Sequence, residues 1–283
     1  MSLRINTNVA ALNAYNNLSK NQNDLNDSFE KLSSGLRINK AADDAAGLSI
    51  AQGLTSQING LTQAVSNAQD GINVAQIADG ALGTVQNILQ RMRTLVVQAG
   101  NSGTQDSDST TAIQDEVKNL NTELDAISSQ TKFGQTNLLD GSYDSSTGIF
   151  QVGANNGDTL TLDLSSAAVD SGTLGTSSLN IVSTTGSYTN ANAGADLDKL
   201  DSAIKAVSAE RSKIGAVQNQ LGYTVTNLQT GITNVTASKS NLTDADLATE
   251  VSKMSQSQIL MQASTSVLAQ ANSAPQAILK LLQ

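Results

Sequence analysis

The chain has 283 residues, a formal net charge of −9, no Cys and no His. These absences exclude a disulfide framework, a thiolate metal site and the commonest general base and transition-metal ligand. The 16 basic residues form no stripe, so a phosphate-gripping nucleic-acid surface is also excluded.

The first element is a terminal helix. Leu18, Leu25 and Leu32 recur every seven residues, interleaved with Phe29 and Leu36. A 3.5-residue apolar period makes a narrow seam that buries against another helix. Residues 1–20 lack a basic region followed by an apolar run, and no stretch approaches a membrane span. Neither a cleaved Sec-type signal nor a membrane anchor is expected.

A long helix is predicted from Leu54. Leu54, Ile58, Leu61, Val65, Ala68, Ile72 and Ala75 step by four and three, and Leu82, Val85, Leu89, Met92 and Val96 continue in phase. Gly100 and the polar run after it stop the helix. Gly53, Gly60, Gly71, Gly80 and Gly83 weaken it in isolation and read as points of close helix approach. Another helix follows over Ile113, Val117, Leu120, Leu124 and Ile127, with Thr111 and Gln114 as a capping box.

Residues 140–190 change character. Ile149–Val152 is a strand candidate, Asn156-Gly157 marks a hairpin turn, Thr159–Leu164 alternates strictly, and Leu179–Val182 reads as a further strand. The remainder is rich in Ser, Thr, Gly, Asn and Ala and is expected as an exposed loop or hairpin layer. Asp140, Asp144, Asp158 and Asp163 lack the spacing of a calcium loop and read as turn residues.

A long helix is predicted again from Leu197 to Leu242, with the polar residues Arg211, Gln218 and Lys239 in seam slots, where such residues set register. The phase slips at Thr243 to Asp246, which begin a new helix. Leu247, Met254, Met261 and Leu268 then recur every seven residues with Val251 between, until Pro275 kinks or ends the helix. The layout predicts a mainly α fold: a long antiparallel helical bundle or coiled coil with a small β-hairpin insert.

Several motifs are more specific. Ile5-Asn6-Thr7-Asn8, Ser33-Ser34-Gly35-Leu36-Arg37-Ile38-Asn39 and Ala41-Ala42-Asp43-Asp44-Ala45-Ala46-Gly47-Leu48-Ser49-Ile50 resemble bacterial flagellin. So do Ile214-Gly215-Ala216-Val217-Gln218-Asn219, Ala248-Thr249-Glu250-Val251, Ser266-Val267-Leu268-Ala269-Gln270-Ala271-Asn272, Pro275-Gln276 and Leu281-Leu282. The resemblance implies a self-assembling filament subunit for motility, not an enzyme, without cofactor or metal, in a minimal form lacking large outer domains. It implies a coiled-coil inner domain from 1–44 and 244–283 with a connector at 33–47. It also implies a helical rod from 45–139 and 191–243, and a β-hairpin and loop part of the outer rod at 140–190. The assembly seam would comprise Leu18, Leu25, Phe29, Leu32, Leu36, Leu247, Val251, Met254, Met261 and Leu268.

The implied partners are other copies of the chain, an export chaperone, a filament cap protein and a hook-associated junction protein, with no nucleic acid and no membrane. The implied location is the extracellular filament, reached by flagellar type III secretion without a cleaved signal. Arg91, Leu95 and Glu116 match flagellin positions that bind the vertebrate Toll-like flagellin receptor, whereas Thr94 stands where receptor-stimulating flagellins often carry Glu. Leu221-Gly222-Tyr223 also departs from the family's usual text. Two other readings are a hook–filament junction protein, which shares the terminal motifs, and a secreted coiled-coil adaptor or adhesin that does not polymerise. A zinc protease of the kind some flagellins insert needs His-Glu-x-x-His, and the chain has no His.

Overall fold

The structure, a computed structural model, describes residues 7–101, 103–182 and 190–281, with side chains described to residue 273 except at 190 and 191. Ile5, Asn6 and Leu282 of the quoted motifs lie outside the described residues. The described chain is mainly α, as the periodicity predicts, with α1 (Val9–Ser34), α2 (Ala45–Ala99), α3 (Ser107–Gln130), α4 (Asn190–Thr243) and α5 (Leu247–Leu281). Two antiparallel hairpins lie between α3 and α4: β1 (Lys132–Phe133) with β2 (Thr136–Asn137), and β3 (Ile149–Gln151) with β4 (Thr159–Thr161). The chain divides into two compact units, one of residues 1–58 with 233–283 and one of residues 59–232.

In the first unit α1 packs against α5. Asn8 opens α1, its Oδ1 accepting from the Ala11 N–H at 3.1 Å, and Gly35 closes it at φ 71° while donating to Lys31 O. Asp246 opens α5 by accepting from the Ala248 N–H at 3.0 Å and the Thr249 hydroxyl at 2.8 Å. The restart expected at Thr243 to Asp246 is therefore present. Two straps join these helices to their neighbours. The Arg37 N–H donates to Thr243 O at 2.7 Å, the Ala245 N–H to Gly35 O at 2.9 Å, and Leu36 pairs with Asp244 as an antiparallel bridge. Leu36 thus lies beyond the end of α1. Asp44 accepts from the Gly47 N–H at 2.8 Å and starts α2 there. A Cβ at Gly47 would stand 2.7 Å from Ile38 Cδ1 and overlap the Asp44 carboxylate, so any side chain there displaces the cap.

The helix expected from Leu54 therefore starts earlier, at Ala45, and the one expected from Leu197 starts at Asn190. Both extensions are rich in Ala, which favours helix without leaving an apolar period to detect. At the other end, the helical backbone of α5 continues past Pro275 to Leu281 rather than stopping there.

In the second unit, α2 runs antiparallel to both α3 and α4. Arg93 meets Asp201 and Arg211 meets Asp79 between α2 and α4, and Arg91 meets Glu116 between α2 and α3. The interior is aliphatic: Leu82, Val85, Leu89, Met92, Leu95 and Val96 of α2 face Val117 and Leu124 of α3 and Leu200, Val207 and Ile214 of α4. Close helix approach at glycine holds for Gly71, packed against Leu221 and Phe150; Gly60 instead abuts Ala154 of the loop between β3 and β4, Gly83 meets only the end of the Arg211 side chain, and Gly53 and Gly80 face open space.

Three expectations need correction here. The capping box at Thr111 and Gln114 is absent: α3 begins at Ser107, capped by Asp106 accepting from the Ser109 N–H at 2.7 Å. Gln114 is instead buried, its Oε1 accepting from the Ile181 N–H at 2.6 Å and its Nε2 donating to Leu179 O at 3.4 Å. Second, Leu179–Val182 is no strand. It follows a single 3-10 turn at Thr176–Ser178, and Gln114 supplies the hydrogen bonds that a partner strand would have made.

Third, the segment expected as an exposed layer carries core residues. Tyr143, Leu162, Leu164, Ala167, Val169, Leu179 and Ile181 are buried in the same interior as α2, α3 and α4. The chain is fastened there by the Leu162 N–H to Gly148 O at 2.8 Å, the Leu164 N–H to Tyr143 O at 2.9 Å and the Ser171 N–H to Asp125 Oδ1 at 2.8 Å. At Gly148 a Cβ would overlap the Leu162 carbonyl oxygen, backbone that cannot swing aside. The strand residues themselves keep the alternation, with Leu160 buried between two exposed threonines.

Candidate assembly interface and the Arg91 surface

The α1–α5 seam is a heptad interface of mixed chemistry. Leu18, Leu25 and Leu32 on α1 and Met254, Met261 and Leu268 on α5 are half-buried. Phe29, Leu247 and Val251 are exposed and point away from the seam. Between the leucines sit residues that apolar periodicity misses. The Asn21 amide donates to Ser264 Oγ at 2.9 Å, the Ser28 hydroxyl donates to Glu250 Oε1 at 2.9 Å, and the Asn8 amide donates to Ala271 O at 2.8 Å. Completing the heptad finds them: Asn21 and Ser28 lie three residues after Leu18 and Leu25, the other seam position of a coiled coil.

Glu250 is buried, and its other oxygen accepts from Lys253 Nζ at 3.1 Å. Burial pushes this carboxyl up, but hydrogen bonds from Lys253 and Ser28, with the charges of Lys253 and Lys31, outweigh it and hold the group below the ordinary glutamate range. A carboxyl depressed by folding contributes stability that is present above its unfolded pKa and is lost as pH falls through its folded value. The α1–α5 pair is therefore expected to loosen on acidification below roughly pH 4.3, the unperturbed glutamate value. Acid titration of the helical signal checks this: Glu250→Gln should show a shallower acid transition than the native chain, and identical curves would remove Glu250 from the account.

Beyond the seam, α1 and α5 carry unpartnered apolar side chains. Val9, Leu12, Tyr15 and Phe29 are exposed on α1, with Phe29 at 66%, and Leu247, Val251, Ile259, Leu260 and Val267 on α5, with Ile259 also at 66%. Scattered exposed apolar residues are ordinary; here nine of them lie on two helices of one unit.

The second unit places Arg91, Leu95 and Glu116 differently. Arg91 and Glu116 form an exposed ion pair, with Nε and Nη2 each 2.8 Å from Glu116 Oε1. Leu95, 1% exposed, lies in the interior rather than beside them. Thr94, next to it, is exposed and its hydroxyl donates to Gln90 O at 3.0 Å. Leu221 is fully buried, whereas Tyr223 is the most exposed of the large hydrophobic side chains described, at 79%.

No helix of the described residues is long and apolar enough to cross a membrane, and those residues hold no cluster of three or more metal-ligating side chains. The four aspartates weighed as a calcium loop are each spent on a local turn. Asp140 binds Ser142, Asp158 binds Asn155 and Asp163 binds Ser165. Asp144, held by the Ser146 hydroxyl and the Ser146 and Thr147 amides, is lowered to about 2.

The comparisons with known proteins decide among the readings. The family model described as the bacterial flagellin N-terminal helical region matches residues 5–144, and the one described as the bacterial flagellin C-terminal helical region matches residues 197–282. The chain belongs to the bacterial flagellins. It is 44% identical to flagellin of Bacillus subtilis strain 168 over 304 aligned positions, covering 99% of this chain and all of that one. It is 43% identical to flagellin of Halalkalibacterium halodurans over 279 positions, covering 99% of both. In fold it resembles a protein from Vibrio parahaemolyticus described as a flagellar hook-associated protein, with a TM-score of 0.59 at 16% identity, over 71% of this chain and all of that one. As a flagellin, the chain is a structural subunit of the extracellular flagellar filament, and it is not an enzyme.

Proposed function

We propose that copies of this flagellin polymerise through the outward faces of α1 and α5, while the α1–α5 seam holds each subunit's own termini together. The observation that supports this is the set of exposed apolar side chains on those two helices, on faces the seam leaves unused. In this reading Leu18, Leu25, Leu32, Met254, Met261 and Leu268 build the pair, and Phe29, Leu247 and Val251 meet neighbouring subunits. Leu36 acts in the connector at 33–47. Residues 1–44 and 244–283 form the inner domain, 45–139 and 191–243 the helical rod, and 140–190 the hairpin part of the outer rod. Motility follows from the filament so built. Leu25→Asp or Leu268→Asp would bury an unpaired carboxylate in the pair. Seeded polymerisation followed by electron microscopy tests the reading: native protein should extend seeds and either variant should not. Seed extension by both variants would overturn it.

Export through the flagellar type III route, without a cleaved signal, belongs to the same proposal. The chain has no Cys to crosslink on that path. An export chaperone, the filament cap and a hook-associated junction protein are its expected partners along the way. A surface for the vertebrate Toll-like flagellin receptor is proposed at Arg91 and Glu116, with Leu95 supporting it from below. Their exposed, charge-paired geometry supports that reading, since Arg is a frequent anchor at protein interfaces.

A further inference from the structure

Asn-Gly occurs twice in the sequence, at Asn59-Gly60 and at Asn156-Gly157. Both asparagines are exposed, but their backbones differ. Asn59-Gly60 lies inside α2, where the Gly60 amide belongs to the helical hydrogen-bond ladder and cannot reach the preceding side chain. Asn156-Gly157 lies in the loop joining β3 to β4, with Gly157 at φ 92°. There neither the Asn156 side chain nor the Gly157 N–H has a hydrogen-bond partner among the described residues. The flanking residues are, by contrast, tied down. Gln151 Nε2 donates to Gly153 O at 2.9 Å and Asn155 O at 2.8 Å, and Asp158 Oδ2 accepts from the Asn155 N–H at 3.1 Å.

We propose that Asn156 is a site of spontaneous covalent modification, at which the Gly157 main-chain nitrogen converts the side-chain amide to a succinimide and then to aspartate and isoaspartate. Hydroxide removes the Gly157 amide proton. The nitrogen attacks Asn156 Cγ, an N–Cγ bond forms, the Cγ–Nδ2 bond breaks, and Nδ2 leaves as ammonia after taking a proton from water. Water then opens the ring. Attack at Cγ restores the original main chain with an aspartate. Attack at the Asn156 main-chain carbonyl carbon leaves the chain running through Cβ as isoaspartate. No oxidant, reductant or enzyme enters the balance. Glycine is the residue that permits the attack, because it offers no Cβ to block the nitrogen's approach and adopts the positive φ found here.

The consequence is local and irreversible. A new carboxylate appears two residues from Asp158, and in the isoaspartyl product the loop gains a main-chain carbon between segments whose ends are fixed by Gln151 and Asp158. Chains of different age therefore present different hairpin surfaces.

The test follows both sites in the full-length protein held in mildly alkaline buffer. Peptides containing Asn59 and Asn156 are quantified by mass spectrometry for replacement of an amino by a hydroxyl group, and by isoaspartyl-specific methylation. Urea-unfolded chain supplies the reference rate for each site. In the folded protein Asn156 should convert near its unfolded rate. Asn59 should fall behind its own reference roughly tenfold or more, since opening a helix interior costs more than the free energy that sets one decade. Asn156→Gln, which keeps the amide and the loop's glycine, should remove the isoaspartyl signal assigned to position 156 in folded protein, leaving any signal from the Asp-Gly steps at Asp70, Asp79 and Asp140 unchanged. Equal protection of the two sites, or no isoaspartate at position 156 of the native chain, would overturn the proposal.

Discussion

Removing residues 1–32 or residues 247–283 is expected to abolish filament formation while leaving a folded, helical monomer. The first half of this expectation rests on the α1–α5 pair. Each deletion takes one partner away and strips the other of its hydrogen bonds at Asn21, Ser28 and Glu250. A single amphipathic helix in water is marginal without a surface to bury its apolar stripe, so the helix left behind should lose order as well. The second half rests on where the large core lies. Every residue of the main interior cluster, from Val74 to Ile214, belongs to the unit of residues 59–232, and none comes from either deleted segment. The deletions should therefore leave the thermal transition of that unit in place. Electron microscopy and sedimentation read the loss of polymer, and circular dichroism reads the retained fold. Filaments from either truncated chain would show that polymerisation does not pass through α1 and α5.

Leu95→Ala is expected to cost about 2–5 kcal/mol, the range for deleting a fully buried leucine side chain and leaving a cavity. Arg91→Ala, on the neighbouring exposed face, should cost about 1 kcal/mol or less, because an ion pair in solvent contributes little. The contrast matters for the receptor surface. Leu95 is enclosed by α2, α3 and α4, so its truncation weakens any surface above it by loosening the scaffold. Arg91 and Glu116 stand in solvent and can be exchanged with the fold intact. Urea unfolding of the two single variants measures the difference. With stabilities known, receptor binding of Arg91→Ala then reports on the surface alone. Should Leu95→Ala prove no less stable than Arg91→Ala, the placement of Leu95 in the interior would be wrong.

Much of this fold is legible in the residues because helices report their own period. The apolar steps from Leu82 to Val96 coincide with buried positions, as do Leu200, Val207, Ile214 and Leu221, and the phase slip before Leu247 marks a real helix start. The misreadings share a cause. Gln114 has the spacing of a capping partner, yet what decides its role is a segment far along the chain, Leu179 to Ile181, that needs its amide. Leu162 and Leu164 look like one face of a surface hairpin, since alternation says only that one side is covered. That the cover is the main interior is fixed by long-range contacts through Tyr143 and Gly148. The short β1–β2 hairpin, two residues to a strand around Gly134 at φ 62°, is too brief for any periodicity to register. In the candidate interface, the leucines and methionines announce themselves, whereas Asn21, Ser28, Ser264 and Glu250 look like ordinary surface residues until their position in the heptad is considered.

Those four polar residues also resolve an ambiguity that a repeating sequence creates for itself. Leucines spaced seven apart look the same after a slide of seven, so apolar contact alone would let one helix creep along the other by two turns with little penalty. The hydrogen-bonded pairs are not interchangeable: one joins an amide to a hydroxyl and the other a hydroxyl to a carboxylate. Sliding by a heptad would separate both and leave the Glu250 charge, buried in the aligned pair, facing groups that do not match it. The helices thus carry an address as well as an adhesive, and two segments from opposite ends of the chain have one alignment in which every partner is found.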